Sequence, residues 1–114
     1  LSLAQLENDP LVMLALDELD GLVESIWSTF NHPPRVAWRT ASVEGVRSLV
    51  GTGAGITLLP DLVYRPWSLE GDRILAKRTR ESLPTVDIGI GWRRLTRHSE
   101  AMATFMEVAQ NHRR

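Results

Sequence analysis

Between Ser42 and Pro60 the chain reads Ser-Val-Glu-Gly-Val-Arg-Ser-Leu-Val-Gly-Thr-Gly-Ala-Gly-Ile-Thr-Leu-Leu-Pro, an order that leaves few folds open. Ser42 is a favoured N-cap, since its hydroxyl can accept from the free amides of a first helical turn. Val43, Val46, Leu49 and Val50 recur at helical spacing. Gly53 suits the left-handed position just past a helix end. Ile56 to Leu59 is a short apolar run closed by Pro60, which predicts a buried strand. The segment therefore predicts a helix, a glycine stop and a strand, in that order.

The order decides what Gly51, Gly53 and Gly55 can do. A phosphate loop runs from strand through glycines into a helix, so that helix amides face the anion. Here the helix comes first, and carbonyls meet the glycines. No Gly-Lys-Ser/Thr follows, and the spacing does not make a dinucleotide fingerprint. Nucleotide binding at these glycines is set aside in favour of a helix stop with close packing.

Periodicity along the rest of the chain predicts alternating elements. Leu1 to Leu6 predicts a short helical turn and Leu11 to Leu14 a buried strand. Leu19, Leu22, Val23, Ile26, Trp27 and Phe30 keep helical spacing, with Asp17 and Asp20 at the favoured end of the dipole. Asn31-His32-Pro33-Pro34 predicts the stop. Val36 to Trp38 predicts a second strand leading to the Ser42 helix. Asp61 to Tyr64 predicts a helical turn, Trp67 to Asp72 a loop, and Ile74 to Ala76 a weak strand. Val86, Ile88, Ile90 and Trp92 alternate with Asp87, Gly89 and Gly91, the period of a strand. A last helix starts at Ser99 with Met102, Phe105, Met106 and Ala109 on one face. This alternation predicts an α/β fold, an open sheet with flanking helices.

Composition sets outer bounds. One domain or part of one fits 114 residues, with about 65% of the unfolded surface buried. Hydrophobic content of 43% and charged content of 24% describe an ordinary globular chain. No cysteine is present, so disulfides and thiolate metal sites are excluded, and a cytoplasmic location is expected. No apolar run has the length of a membrane span. The net charge of −1 gives no global drive toward nucleic acid.

The Ser42–Pro60 segment resembles the effector-binding domain of LysR-type transcriptional regulators. That family typically shows Val-Arg-x-Leu-Val-x-x-Gly-x-Gly-Ile-x-Leu-Leu-Pro, and this chain carries Val46-Arg47-Ser48-Leu49-Val50, Gly53-Ala54-Gly55-Ile56 and Leu58-Leu59-Pro60 in that register. Leu1 to Leu6 with Asp9 to Leu14 looks like the entry into the family's second subdomain. Val86 to Trp92, then Ser99 and a helix bearing Phe105, looks like its return strand and final helix. Leu14-Ala-Leu-Asp17 departs from the glycine-rich loop of many relatives, and family pockets vary most where they choose a ligand.

The resemblance implies half of a two-subdomain domain of the periplasmic-binding-protein-like (type 2) fold. Residues 1–92 would be the second subdomain with its hinge strands, and 93–114 a C-terminal helix that packs on a first subdomain outside this chain. With Leu1 rather than methionine at its start, the chain is expected to be a piece of a longer protein. An unpartnered last helix would lead it to self-associate or exchange that helix between copies. DNA would be read by an N-terminal winged helix-turn-helix, also outside the chain.

Ligand pockets in open α/β sheets form beyond the carboxyl ends of strands. Arg39, Thr40, Ala41, Ser42 and Val43 occupy such a place, where hydroxyls, amides and a guanidinium could meet a small anion. Capping alone would also account for Ser42. The resemblance favours effector contact, because effectors in this class usually meet this turn. Thr57, polar within an apolar run, is a further candidate. The resemblance also implies a dimer contact through Leu22, Val23, Ile26, Trp27, Val36 and Trp38, although Leu22, Val23, Ile26 and Trp27 could instead face their own sheet.

Catalysis finds no support, because His32, His98 and His112 have no acid at a useful spacing. They are too scattered for zinc, and Asp17, Glu18 and Asp20 read as a solvated helix start. No cofactor is implied. Lys77, Arg78, Arg80, Arg93, Arg94, Arg97, Arg113 and Arg114 tilt the second half basic, without a recognition-helix pattern. The expected function is ligand sensing within a transcription regulator, which would pass the signal to DNA through a dimer or tetramer. The alternative is a lobe of an extracytoplasmic solute-binding protein. The missing half of the cleft would leave this chain a weak binder alone.

Overall fold

A computed structural model describes residues 1–30, 33–85 and 87–112. The expectations for Asn31, His32, Val86, Arg113 and Arg114, and for the side chains of Asp17 and Glu18, lie outside what is described. The elements are a 3-10 turn at Leu3–Leu6, β1 at Leu11–Leu14, α1 at Asp17–Trp27, β2 at Val36–Thr40, α2 at Val43–Gly51, a second 3-10 turn at Asp61–Val63, and α3 at Glu100–Asn111.

β1 is the centre of the fold because all four of its residues are buried. Alternate strand side chains point to opposite faces, so a strand that is apolar throughout needs cover on both. Leu11 and Met13 join Leu3, Val23, Ile26 and Trp27 on the α1 side. Val12 and Leu14 join Val46 on the α2 side. Each such side chain contributes about 1.5–3 kcal/mol of apolar burial, which makes this two-faced strand the main source of cohesion.

β1 pairs in parallel with β2, and Leu14 lies opposite Thr40. On its other edge β1 meets the chain after the glycines: the Val12 amide donates to the Ile56 carbonyl at 2.8 Å, and the Ile56 amide to the Pro10 carbonyl at 2.9 Å. The expected strand at Ile56–Leu59 is thus reduced to one parallel bridge, Leu11 with Ile56. Leu58 and Leu59 pack on the two apolar clusters without a ladder.

Three further boundaries differ from expectation. α1 starts at Asp17 and ends at Trp27, with Phe30 folding back edge-on against the Trp27 ring at 5.6 Å. In place of a weak strand at Ile74–Ala76, Arg73 bridges Trp67 in a small antiparallel turn, with the Arg73 guanidinium 5.1 Å from the Trp67 ring. The alternating stretch before α3 does not pair as a strand: described residues 87–92 are exposed and belong to no strand. Alternation specifies two faces, but a strand also needs an edge to hydrogen-bond, and β1 is already occupied on both sides.

Polar contacts fasten the outer turns. Arg47, buried on α2, bonds the Glu44 carboxylate and the Val63 carbonyl and so ties the second 3-10 turn to the helix. The Ser48 hydroxyl bonds both Glu70 oxygens at 3.0 and 2.9 Å, which holds that carboxyl below its ordinary pKa. The Leu3 amide donates to Glu81 at 3.0 Å, lowering that carboxyl as well, and the Arg80 amide donates to the Leu1 carbonyl at 2.8 Å.

Candidate ligand-binding site

The carboxyl ends of β1 and β2 lie side by side, and each strand feeds a helix. The Ala15 amide donates to the Thr40 carbonyl at 2.8 Å, locking the two exits together. α1 and α2 therefore begin at one edge of the sheet, where helix amides and the positive dipole ends favour an anion. Leu16, the N-cap of α1, has no side chain able to accept from those amides. Ser42, the N-cap of α2, accepts from the Gly45 amide at 3.1 Å.

Most of the expected residues gather here. Arg39 and Thr40 are the last two residues of β2 rather than the start of a turn, since the strand runs two residues further than its apolar pattern. The Thr40 hydroxyl accepts from the Ser42 amide at 3.1 Å. A Cβ on Gly45 would stand 3.2 Å from that hydroxyl, so the glycine leaves room for Thr40. Ala41 and Ser42 are exposed, and Val43 is half-buried against the Val12–Val46 cluster. Thr57 is elsewhere: its hydroxyl donates to the Val12 carbonyl at 2.8 Å, on the side of β1 away from β2. That bond secures the polar residue in an apolar segment.

Arg39 has a charged neighbour that sequence reasoning did not pair with it. One guanidinium nitrogen lies 3.7 Å from a carboxylate oxygen of Asp20 on α1, both side chains being partly exposed. The other Asp20 oxygen is buried and unpartnered. An exposed pair of this kind holds a side chain in place weakly, by about 0–1 kcal/mol. Arg39 is thus parked beside the sheet edge and available for exchange toward a competing anion. Nineteen positions separate the two residues, and only the parallel crossover brings them together.

An open groove of about 550 Å³ runs between α1 and β2, walled by Trp27, Phe30, Pro34 and Val36, with Glu24 and Arg39 at its rim. It crosses the expected dimer-contact set. Of that set, Val23, Ile26 and Trp27 are buried in the chain's own core, Leu22 and Val36 are half-buried, and Trp38 is 52% exposed. No group of three or more His, Cys, Asp or Glu suited to a metal occurs among the described residues. Among them, no helix is long and apolar enough to cross a membrane.

Comparisons with known proteins bear on the family and the fold. A family described as LysR substrate binding domain matches residues 1–114. PA01 protein from Pseudomonas aeruginosa, described as a LysR family transcriptional regulator, superposes with a TM-score of 0.82 at 19% identity, over 97% of this chain and 39% of that one. HinK, a LysR family transcriptional regulator from the same organism, gives 0.80 at 21% identity over 98% and 39%. The C-terminal domain of a protein from Rhodococcus sp. RHA1, described as a LysR family transcriptional regulator, gives 0.75 at 26% identity over 96% and 54%. The chain thus spans well under two thirds of each of these structures. A search of curated proteins returns no match. The likeness of fold is to periplasmic-binding-protein-like domains, and with its whole length matched the chain belongs to the LysR substrate binding domain family.

Proposed function

We propose that this chain is a ligand-sensing half of a LysR-type regulator and contributes one wall of an effector cleft at the joint exit of β1 and β2. The observation that carries this reading is the common origin of α1 and α2 at one sheet edge, with Arg39 held beside it by the partly exposed Asp20. A small carboxylate-bearing metabolite suits the site: Arg39 offers charge, and the α1 amides ahead of Leu19, which itself donates to the Leu16 carbonyl, offer donors that no Leu16 side chain can accept from. Binding would act by preferring one arrangement of the two subdomains, and the signal would reach DNA through a separate element of the whole regulator. Self-association of that regulator is assigned to the accessible parts of the α1–β2 face, the half-buried Leu22 and Val36 and the exposed Trp38, because Val23, Ile26 and Trp27 already serve the chain's own core. The solute-binding-lobe alternative lacks comparable support, since the descriptions of the three matched structures all name LysR family regulators.

The test is a panel of small carboxylates and their neutral amides, followed by amide chemical shifts of the labelled chain. Weak, saturable perturbations should cluster at residues 39–43 for the carboxylates only, and Arg39→Gln should abolish them. Perturbations clustered elsewhere, or unchanged in Arg39→Gln, would refute the site.

A further inference from the structure

Asp20 has more hydrogen-bonding capacity than the fold uses. Its nearer oxygen is 3.7 Å from the Arg39 guanidinium, an ion pair too long to be a hydrogen bond. The other oxygen is buried and meets no donor among the described residues. An ionised carboxylate can accept about four hydrogen bonds, and a buried acceptor left without one is destabilising. The Asp20 amide donates to the Leu16 carbonyl at 3.1 Å, which places this carboxylate one turn inward from the start of α1. It therefore stands between Arg39 and the α1 amides ahead of Leu19, the two groups that suit a ligand carboxylate.

The charges here do not match a simple anion. Glu24, one turn further along α1, lines the same groove as Arg39. One guanidinium is thus set among two carboxylates. Glu44, at the start of α2, is already bonded by Arg47. A ligand with negative charge alone would gain Arg39 and the amides but meet Asp20 as a like charge, which selects against it. A ligand that also carries an ammonium group meets both signs. Its carboxylate takes Arg39 and the amides, and its N–H donors take Asp20. The Cβ–Cγ torsion of an aspartate is broad, so a turn about it brings either oxygen to an arriving donor. We infer that the effector is a compact zwitterion of the α-amino acid class, with Asp20 holding its ammonium while Arg39 holds its carboxylate. This rests on the effector reading and names the chemistry that the same site selects.

The test titrates the labelled chain with matched pairs that differ only in the amino group: alanine and propionate, leucine and 4-methylpentanoate, glutamate and glutarate, phenylalanine and 3-phenylpropionate. At least one amino acid should perturb the amides of residues 39–43 with an affinity about fivefold above that of its partner, the weight of a partly exposed charge pair. Asp20→Asn, close in shape and uncharged, should erase the preference by weakening the amino acid and strengthening the acid that lacks the amino group. A merely structural role for Asp20 would shift both members of a pair alike. The comparison in the unaltered chain decides the matter whether or not the variant folds. Equal affinity within every pair, or a preference that survives in folded Asp20→Asn, would overturn this inference and leave the effector site standing. No perturbation at residues 39–43 by either member of any pair would overturn it together with the effector reading.

Discussion

Gly55 carries a steric constraint whose cost can be worked through. A Cβ built there would lie 2.4 Å from the Pro10 carbonyl oxygen and 3.3 Å from a Val12 methyl. Contact of carbon with oxygen below about 3.2 Å is repulsive, so Gly55→Ala must push the two backbones apart by about 0.8 Å. They cannot separate freely. The Pro10 carbonyl accepts from the Ile56 amide at 2.9 Å, and the next bond, Val12 amide to Ile56 carbonyl, is 2.8 Å. A shift of that size would carry the first bond beyond useful hydrogen-bond range. Overpacking costs about 1–3 kcal/mol, and two weakened backbone bonds about 0.5–1.5 kcal/mol each, giving a total of about 2–6 kcal/mol. With a urea slope of about 1.5 kcal/mol per molar, the midpoint should fall by about 1.3–4 M. Gly53→Ala is the control. Gly53 has a φ of +82° with no atom near its Cβ position, so only backbone strain of about 1–2 kcal/mol is expected. Equilibrium urea unfolding of both variants measures the difference. If Gly55→Ala unfolds at or above the midpoint of Gly53→Ala, the close approach of the two backbones is not what sets this residue.

Two further outcomes follow from single contacts. Ser42→Ala removes the acceptor for the Gly45 amide and should cost about 1 kcal/mol by urea unfolding, while Ser42→Asp, which restores an acceptor, should recover most of it; equal loss in both would show that the cap is not the cause. Glu81 is held below its ordinary value of 4.5 chiefly by the Leu3 amide, so its ionised form is favoured in the folded chain. A depressed carboxyl stabilises the fold above about pH 4.5 and loses that contribution as pH falls through its folded value. Glu81→Gln should therefore flatten the decline of the urea midpoint below that pH, and an unchanged slope would count against the contact.

Local signals were legible where chemistry and position coincide. Ser42 and Ser99 both cap helices as their sequence contexts imply, accepting from Gly45 and Met102, because a cap is decided within four residues. Gly53 sits at positive φ just past α2 for the same reason. The unbroken apolar run Leu11–Leu14 announced a strand covered on both faces, and family membership was readable from the ordered motifs across the chain. Sequence patterns could not say which edges would be free. Ile56–Leu59 and the alternating stretch to Trp92 have strand-like composition, yet pairing depends on a partner's unfilled hydrogen bonds, a property of the whole fold. The same holds at the candidate site. Arg39 was a visible cation, but its pairing with Asp20 exists only because the crossover returns β2 alongside β1. Gly55 read as part of a helix stop with close packing, and only the tertiary structure identified the backbone it touches, at Pro10. Short-range energetics wrote the elements into the sequence; long-range contact alone decided which of them meet.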